Sequence, residues 1–245
     1  MGRQRSRVQP RRRDNNNTTS ENIIDIKDYK KPLQKNVVLL PKNRAQEKYI
    51  DALRDPDISV VVACGDAGTG KTYIATAWAI QCLKAKTHEK IIVTRPLVAV
   101  DDRDIGYLPG DIMSKMSPWT RPVLDVFAEY FNAKQVAAML EEGIIELVPL
   151  AYIRGRTFKN AVVIVDEAQN TTANSMLSAL TRIGEGSKMV VTGDVKQSDR
   201  GKENGLQDFL NRNPNIPGVA VCSFGKQHVE RHPVISAILK LYGED

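Results

Sequence analysis

Cysteine is scarce in this 245-residue chain: Cys64, Cys82 and Cys222 are widely spaced and form no C-x-x-C pair. That excludes a disulfide framework and a thiolate zinc site, and their apolar surroundings suit reduced thiols in a core. His88, His228 and His232 form no metal-ligand cluster either. No apolar run approaches the roughly 20 residues a membrane-spanning helix needs, and the Arg-rich start is followed by polar residues, not by a signal-peptide core. The expectation is a protein without membrane association in the cytoplasm, or in the host cytoplasm if the gene is viral. Aromatic residues are only 6% of the chain, which leaves no evident platform for stacking bases.

A general excess of positive charge is also missing, although the formal charge is +6. Arg3, Arg5, Arg7, Arg11, Arg12 and Arg13 precede the first acid, Asp14, and the 29 cationic side chains left match the 29 acids. The basic character therefore belongs to the N-terminal segment, and composition says nothing of a basic groove on the remainder. Residues 1–31 are read as a disordered basic tail, whose arginines could add salt-sensitive affinity for phosphate backbones. Residues 32–245 have the length and apolar content for one domain with a single sizeable core.

The stretch Gly65-Asp66-Ala67-Gly68-Thr69-Gly70-Lys71-Thr72 fits the G-x-x-x-x-G-K-[ST] phosphate-binding loop. Its context is right, because a β-branched run, Ile58 to Cys64, precedes it and Lys71 to Lys84 follows with helical spacing. Backbone N–H groups and the helix dipole would hold the phosphates of ATP, with Lys71 on the β- and γ-phosphates and the Thr72 hydroxyl on Mg²⁺.

Upstream, Asn43 opens a helix in which Ala45, Tyr49, Ile50 and Leu53 share a face. Gln46 lies early on it, some 20 residues before the loop, where its amide could read an adenine edge by donating and accepting together. Downstream, strands are expected at 91–95, 144–150, 161–165, 189–193 and 219–224. Helices are expected at about 111–142, interrupted by Pro118 and Pro122, and at 171–183, 205–212 and 233–242. Strands alternating with helices imply a mostly parallel α/β sheet flanked by helices. Ligands collect at the carboxyl ends of such strands, where the phosphate loop, Asp166-Glu167 and Thr192 to Gln197 all fall.

Asp166, ending an apolar strand, suits a magnesium carboxylate. Glu167 can orient or deprotonate an attacking water, which favours hydrolysis over small-molecule phosphorylation. Gln197 can contact the γ-phosphate or its water. An arginine from across an interface commonly neutralises transition-state charge in this chemistry. Arg154, Arg156, Arg182 and Arg231 are candidates that spacing alone does not separate; Arg231 is carried forward as the catalytic one.

The phosphate loop, Thr94-Arg95-Pro96, Gly106-Tyr107-Leu108-Pro109-Gly110, Tyr152 to Phe158, Val165 to Asn170 and Thr192 to Gln197 together resemble the PhoH family of ATPases. The resemblance runs from about Pro41 to the end. It implies a RecA-like P-loop core similar to the first motor domain of superfamily 1 helicases, use of ATP and magnesium, and an association with RNA or with phosphate-starvation responses, with Thr94-Arg95-Pro96 and the 97–110 loop as strand contacts. By that likeness Gln46 reads adenine, Asp166 and Glu167 are the Walker B pair, and Gln197 is the motif III glutamine. Helicases close ATP between two motor domains, but this chain has length for one. The expectation is a homo-oligomer, by family resemblance a hexameric ring, acting on single-stranded RNA or DNA. The rival expectation is an assembly switch or binding module acting on a protein partner without helicase activity.

Overall fold

Five short apolar runs and a sixth weaker one become the six strands of a single sheet. In the computed structural model the described residues are 36–96, 112–199, 204–212 and 215–230, with 234, 235, 238 and 241. They lie in the unit Pro32–Asp245. The basic tail, the 97–110 loop, most of the expected 233–242 helix and Arg231 lie outside the described residues.

The elements are α1 (Arg44–Arg54), β1 (Val60–Gly65), α2 (Lys71–Ala85), β2 (Lys90–Arg95), α3 (Ile112–Ala128), α4 (Ala133–Glu141), β3 (Ile145–Pro149), β4 (Ala161–Val165), α5 (Ala173–Leu180), β5 (Lys188–Gly193), α6 (Gly205–Asn211) and β6 (Val219–Phe224). The sheet order is β3-β2-β4-β5-β1-β6, and every pairing is parallel. This is an α/β P-loop architecture. Strand β5 lies between the phosphate-loop strand β1 and the Asp166 strand β4, so the loops that follow all three open onto one stretch of the sheet's carboxyl edge.

Period-two alternation sorts the strand side chains into two cores. Val61, Ala63, Ile91, Val93, Val162, Ile164 and Val190 pack with Tyr49, Ile50 and Leu53 of α1, with α2, and with Val123 and Phe127 of α3. Val62, Ile92, Val163, Val165, Met189 and Val191 face the other way, against Ile153, Phe158, Met176, Ala179 and Leu206. A strand buried on both faces needs a continuous apolar run, and that explains the sequence of β4. Helix α2 is apolar nearly all round for the same reason, since it packs between the sheet and helices α1 and α3.

One boundary differs from expectation. Helix α3 runs through Pro118 and Pro122 without interruption, and the break falls at 129–132. There Asn132 caps α4 with its side chain on the Gln135 N–H, and Gln135 reaches back to the Asn132 N–H in a capping box. The capping box marks where α4 starts, and burial of Val123, Val126 and Phe127 carries α3 past its prolines. No helix among the described residues is long and apolar enough to cross a membrane.

At the amino-terminal edge of the sheet, buried Lys188 donates to the Leu53 and Asp55 carbonyls at 2.8 and 2.6 Å, where α1 ends. A cation on orphan carbonyls at a helix C-terminus is favourable. Burial nevertheless lowers its pKa, with Asp55 acting in the opposite sense. Half-buried His88 meets Trp78 edge-on at 5.9 Å, and burial, then the nearby Lys188, lowers its pKa from 6.5. A histidine kept neutral by the fold but free to protonate once unfolded makes the unfolded state bind more protons in acid. Its contribution is therefore whole above pH 6.5 and falls as pH drops from there toward the folded pKa. Thermal unfolding from about pH 7.5 to about pH 5.5 should show wild type losing more melting temperature than His88→Gln. Equal losses would remove His88 as the cause.

Candidate functional site

Strand β1 ends on a residue that must be glycine. Gly65 has φ +134°, and a Cβ there would lie 1.9 Å from the Phe224 carbonyl oxygen of β6. The chain can therefore leave the strand tight against β6 and turn over the sheet edge. Gly68 and Gly70 also adopt positive φ, and Gly70 caps α2 without a side-chain acceptor, so the first N–H groups of a 15-residue helix remain available to an anion.

Lys71 is buried, and its ammonium donates to the Gly65 and Asp66 carbonyls at 2.7 and 2.8 Å. Desolvation lowers its pKa, while Asp194, Glu167, Asp166 and Asp66 push it back up. Thr72 Oγ1 donates to Asp166 Oδ1 at 2.8 Å, and Thr192 Oγ1 donates to the same oxygen at 2.6 Å. One carboxylate oxygen thus ties α2, β4 and β5 together.

Alternation along a strand would send Asp166 and Glu167 to opposite sides. Glu167 instead adopts φ 52°, ψ 43°, and this left-handed turn lets both acids line one cleft. The cleft has a volume of about 260 Å³. Ala67, Gly68, Gly70, Lys71 and Thr72 form one wall, Asp166 and Glu167 the floor, and Gly193, Asp194 and Gln197 the other wall. Three segments far apart in sequence therefore meet as expected from their strand-end positions. Gly65, Asp66 and Thr69 shape the loop from behind, where Thr69 Oγ1 donates to Asp66 O at 2.9 Å.

The PhoH family's sequence profile, described as PhoH-like protein, matches residues 38–243. The chain belongs to this family. It is 41% identical over 207 residues to the PhoH-like protein of Synechocystis, covering 84% of this chain and 62% of that one. To Protein PhoH of Escherichia coli K12 it is 43% identical over 208 residues, covering 83% of this chain and 58% of that one. The chain thus spans about three fifths of the length of these curated relatives. Among solved structures, the Sulfolobus solfataricus SWI2/SNF2 ATPase core in complex with dsDNA overlays with TM-score 0.44 at 13% identity, covering 79% of this chain and 46% of that one. That overlay is too loose to add to the argument.

Other residues singled out by this PhoH-family sequence fall elsewhere. Gln46 is buried behind the phosphate loop, with Oε1 accepting from Lys42 N–H at 2.8 Å and Nε2 donating to Thr69 O at 3.1 Å. Its amide steadies the loop in this arrangement and does not line the cleft. Arg182 donates to the Ser178 and Arg156 carbonyls, and Arg156 pairs with Glu146 at 2.6 Å and lies over the Phe158 ring. Both are tied into the scaffold. Arg154 lines a second cleft beyond the end of β2, and Arg231 lies outside the described residues.

Sequence reasoning gives no individual role in this cleft to Gln169, Gly193, Thr192, Tyr73 or Arg95, although it singles out the stretches holding Thr192 and Arg95. Gln169, only 1% exposed, donates from Nε2 to Glu167 Oε2 and, at 3.4 Å, to Gln197 O, while its Oε1 accepts from Asp194 N–H at 3.0 Å. Gly193 leaves the space for it, since a Cβ there would fall 2.7 Å from Gln169 Oε1. Thr192 holds Asp166, Tyr73 lines the cleft, and Arg95 lies 3.8 Å from Glu167. A glutamine two residues past an acid pair could have flagged the first; the others depend on which strands are neighbours.

Gln169→Ala would leave the buried Asp194 N–H without its acceptor, at a cost of about 1–3 kcal/mol. Urea unfolding should show a lower midpoint at unchanged slope. An unchanged midpoint would mean that the amide does not hold this loop.

Proposed function

We propose that this chain is a Mg²⁺-dependent ATPase that hydrolyses ATP at the interfaces of a homo-oligomer and couples turnover to single-stranded nucleic acid, RNA in particular. The observation that carries this reading is the meeting of Lys71, Asp166-Glu167 and Asp194 to Gln197 around one cleft at a helix N-terminus. Backbone N–H groups and a lysine suit phosphates, and phosphoryl transfer asks for little beyond positioning and charge neutralisation.

Thr72 and Asp166, already 2.8 Å apart, would hold the magnesium ion. Among the described residues no group of three or more His, Cys, Asp and Glu gathers as a metal site. A magnesium ion held by Thr72 and Asp166 would supply charge neutralisation to the nucleotide's phosphates. Glu167 accepts the proton of the attacking water or orients it, and Gln197 faces the same volume.

Residues 32–245 then form the ATPase domain, and residues 1–31 a cationic arm able to add salt-sensitive affinity for a phosphate backbone. Arg231 and Arg154 remain the arginines suited to act from a neighbouring copy, because Arg156 and Arg182 are tied into the scaffold.

Steady-state phosphate release, measured with and without single-stranded RNA over a range of protein concentrations, tests the reading. The specific rate should climb with protein concentration and again with RNA. Lys71→Ala should abolish turnover, and Glu167→Gln should keep ATP bound while lowering kcat at least about 100-fold. Wild-type turnover by Glu167→Gln would refute the role of that carboxylate. A rate indifferent to RNA would transfer the coupling to a protein partner.

A further inference from the structure

Glu167 must hold a water or take a proton on a carboxylate oxygen, and each of its oxygens already faces a donor, which narrows the room and lowers the basicity left for that water. Oε2 accepts from Gln169 Nε2. Oε1 lies 3.8 Å from Nη2 of Arg95, the last residue of β2. The two engagements differ in kind. Gln169 is buried and fixed by further bonds to Asp194 and Gln197, so its amide has no freedom to leave. The Arg95 side chain is 30% exposed and its distance to Glu167 is that of an ion pair, not of a close hydrogen bond. Its guanidinium can swing away by side-chain rotation alone, because the backbone beneath is locked: Thr94 O accepts from Asp166 N–H at 2.9 Å, and Thr94 is in register with Val165.

We infer that Arg95 is a positioning residue that restrains Glu167, and that a phosphodiester of single-stranded RNA releases the restraint by drawing the guanidinium away. This deepens the proposed ATPase reading and rests on it. The place where a strand would act adjoins the pair. Immediately after Arg95, Pro96 enters the lining of a second cleft of about 150 Å³, which also carries Arg154, Thr171, Thr172 and Ser175. The Thr171 and Thr172 hydroxyls donate to Ala168 O and Ser175 Oγ, so the donors left to a phosphate are the Arg154 guanidinium and the Ser175 hydroxyl, beside apolar Pro149 and Leu150. They suit a sugar-phosphate backbone, which offers acceptors and no donors at its phosphates. A guanidinium pairs more strongly with phosphate than with a carboxylate it meets only at 3.8 Å, so a strand lying there competes for Arg95. Occupation of the second cleft thereby reaches the first through one side chain.

The test compares wild type, Arg95→Ala and Arg95→Lys in the full chain for kcat and KM of ATP hydrolysis, with and without an oligouridylate. Removing the restraint should raise basal kcat of Arg95→Ala about two- to fivefold, the size of a partly exposed ion pair, without changing KM for ATP. Stimulation by the oligouridylate should fall toward unity in Arg95→Ala and stay partial in Arg95→Lys, which keeps the cation. A merely structural role would lower kcat and melting temperature together. Basal kcat that falls or stays level in Arg95→Ala, with the fold intact by thermal unfolding, overturns the restraint. Stimulation of Arg95→Ala equal to wild type overturns the release. Should wild type hydrolyse ATP but ignore RNA, the RNA reading fails, and the basal rates still decide whether Arg95 restrains Glu167.

Discussion

Everything at the carboxyl edge of this sheet is referred to one oxygen atom, Oδ1 of Asp166. It accepts hydroxyl protons from Thr72 at the start of α2 and from Thr192 at the end of β5. A carboxylate taken out of water needs such partners, and here they come from the first turn of α2 and the end of β5, on either side of the cleft. The desolvated acid therefore sets the distance between phosphate loop and strand ends. Without Asp166, Thr72 and Thr192 would lose their shared acceptor, while the backbone pairing of β5 with β1 and β4 would hold the strand ends in place.

That arrangement stores strain next door. A non-glycine residue in the left-handed region costs of order 1–3 kcal/mol and is retained where the surroundings over-determine it. Glu167 is so determined: β4 is paired on both sides, and Gln169 grips its carboxylate two residues on. Glycine would relax the backbone but bring no carboxylate into the cleft. The strained turn places two consecutive acids in one cleft, which an extended chain could not do.

Much of this was legible in the sequence, because the governing features are local. The β-branched runs predict strands β1, β2, β4 and β5, and the glycines of the phosphate loop predict where positive φ is needed. The acid pair stands where a buried strand ends. What escaped depends on strand order, which periodicity does not carry. That β5 intervenes between β1 and β4 is what brings Thr192 to Asp166, and that β2 adjoins β4 is what sets Arg95 opposite Glu167. Gln46 escaped differently: its place on the helix was right, but burial against Lys42 and Thr69 was invisible because a lone glutamine gives no sign of which partner it meets. The α3 break was misplaced because the tertiary burial of Val123, Val126 and Phe127, which holds the helix together across Pro118 and Pro122, cannot be read from the prolines themselves.

The bonds around the cleft fall into two groups, and the division decides what can move. Asp166, Gln169 and Asp194 are each less than a tenth exposed, and breaking a bond among them strands a buried donor or acceptor. Arg95 with Glu167, and Lys196 with Asp66, are exposed enough that water and salt can replace either partner. Hydrogen bonding to Asp66 raises the Lys196 pKa, so that cation stays charged, yet it remains open to competition from any stronger anion. A ligand can therefore rearrange the ion pairs while the buried framework keeps its geometry. On the proposed reading, nucleotide phosphates would compete for Lys71 from inside the cleft, and a strand phosphate for Arg95 from outside it. Two anions acting on opposite sides of the same carboxylate pair can then influence each other without any movement of the sheet.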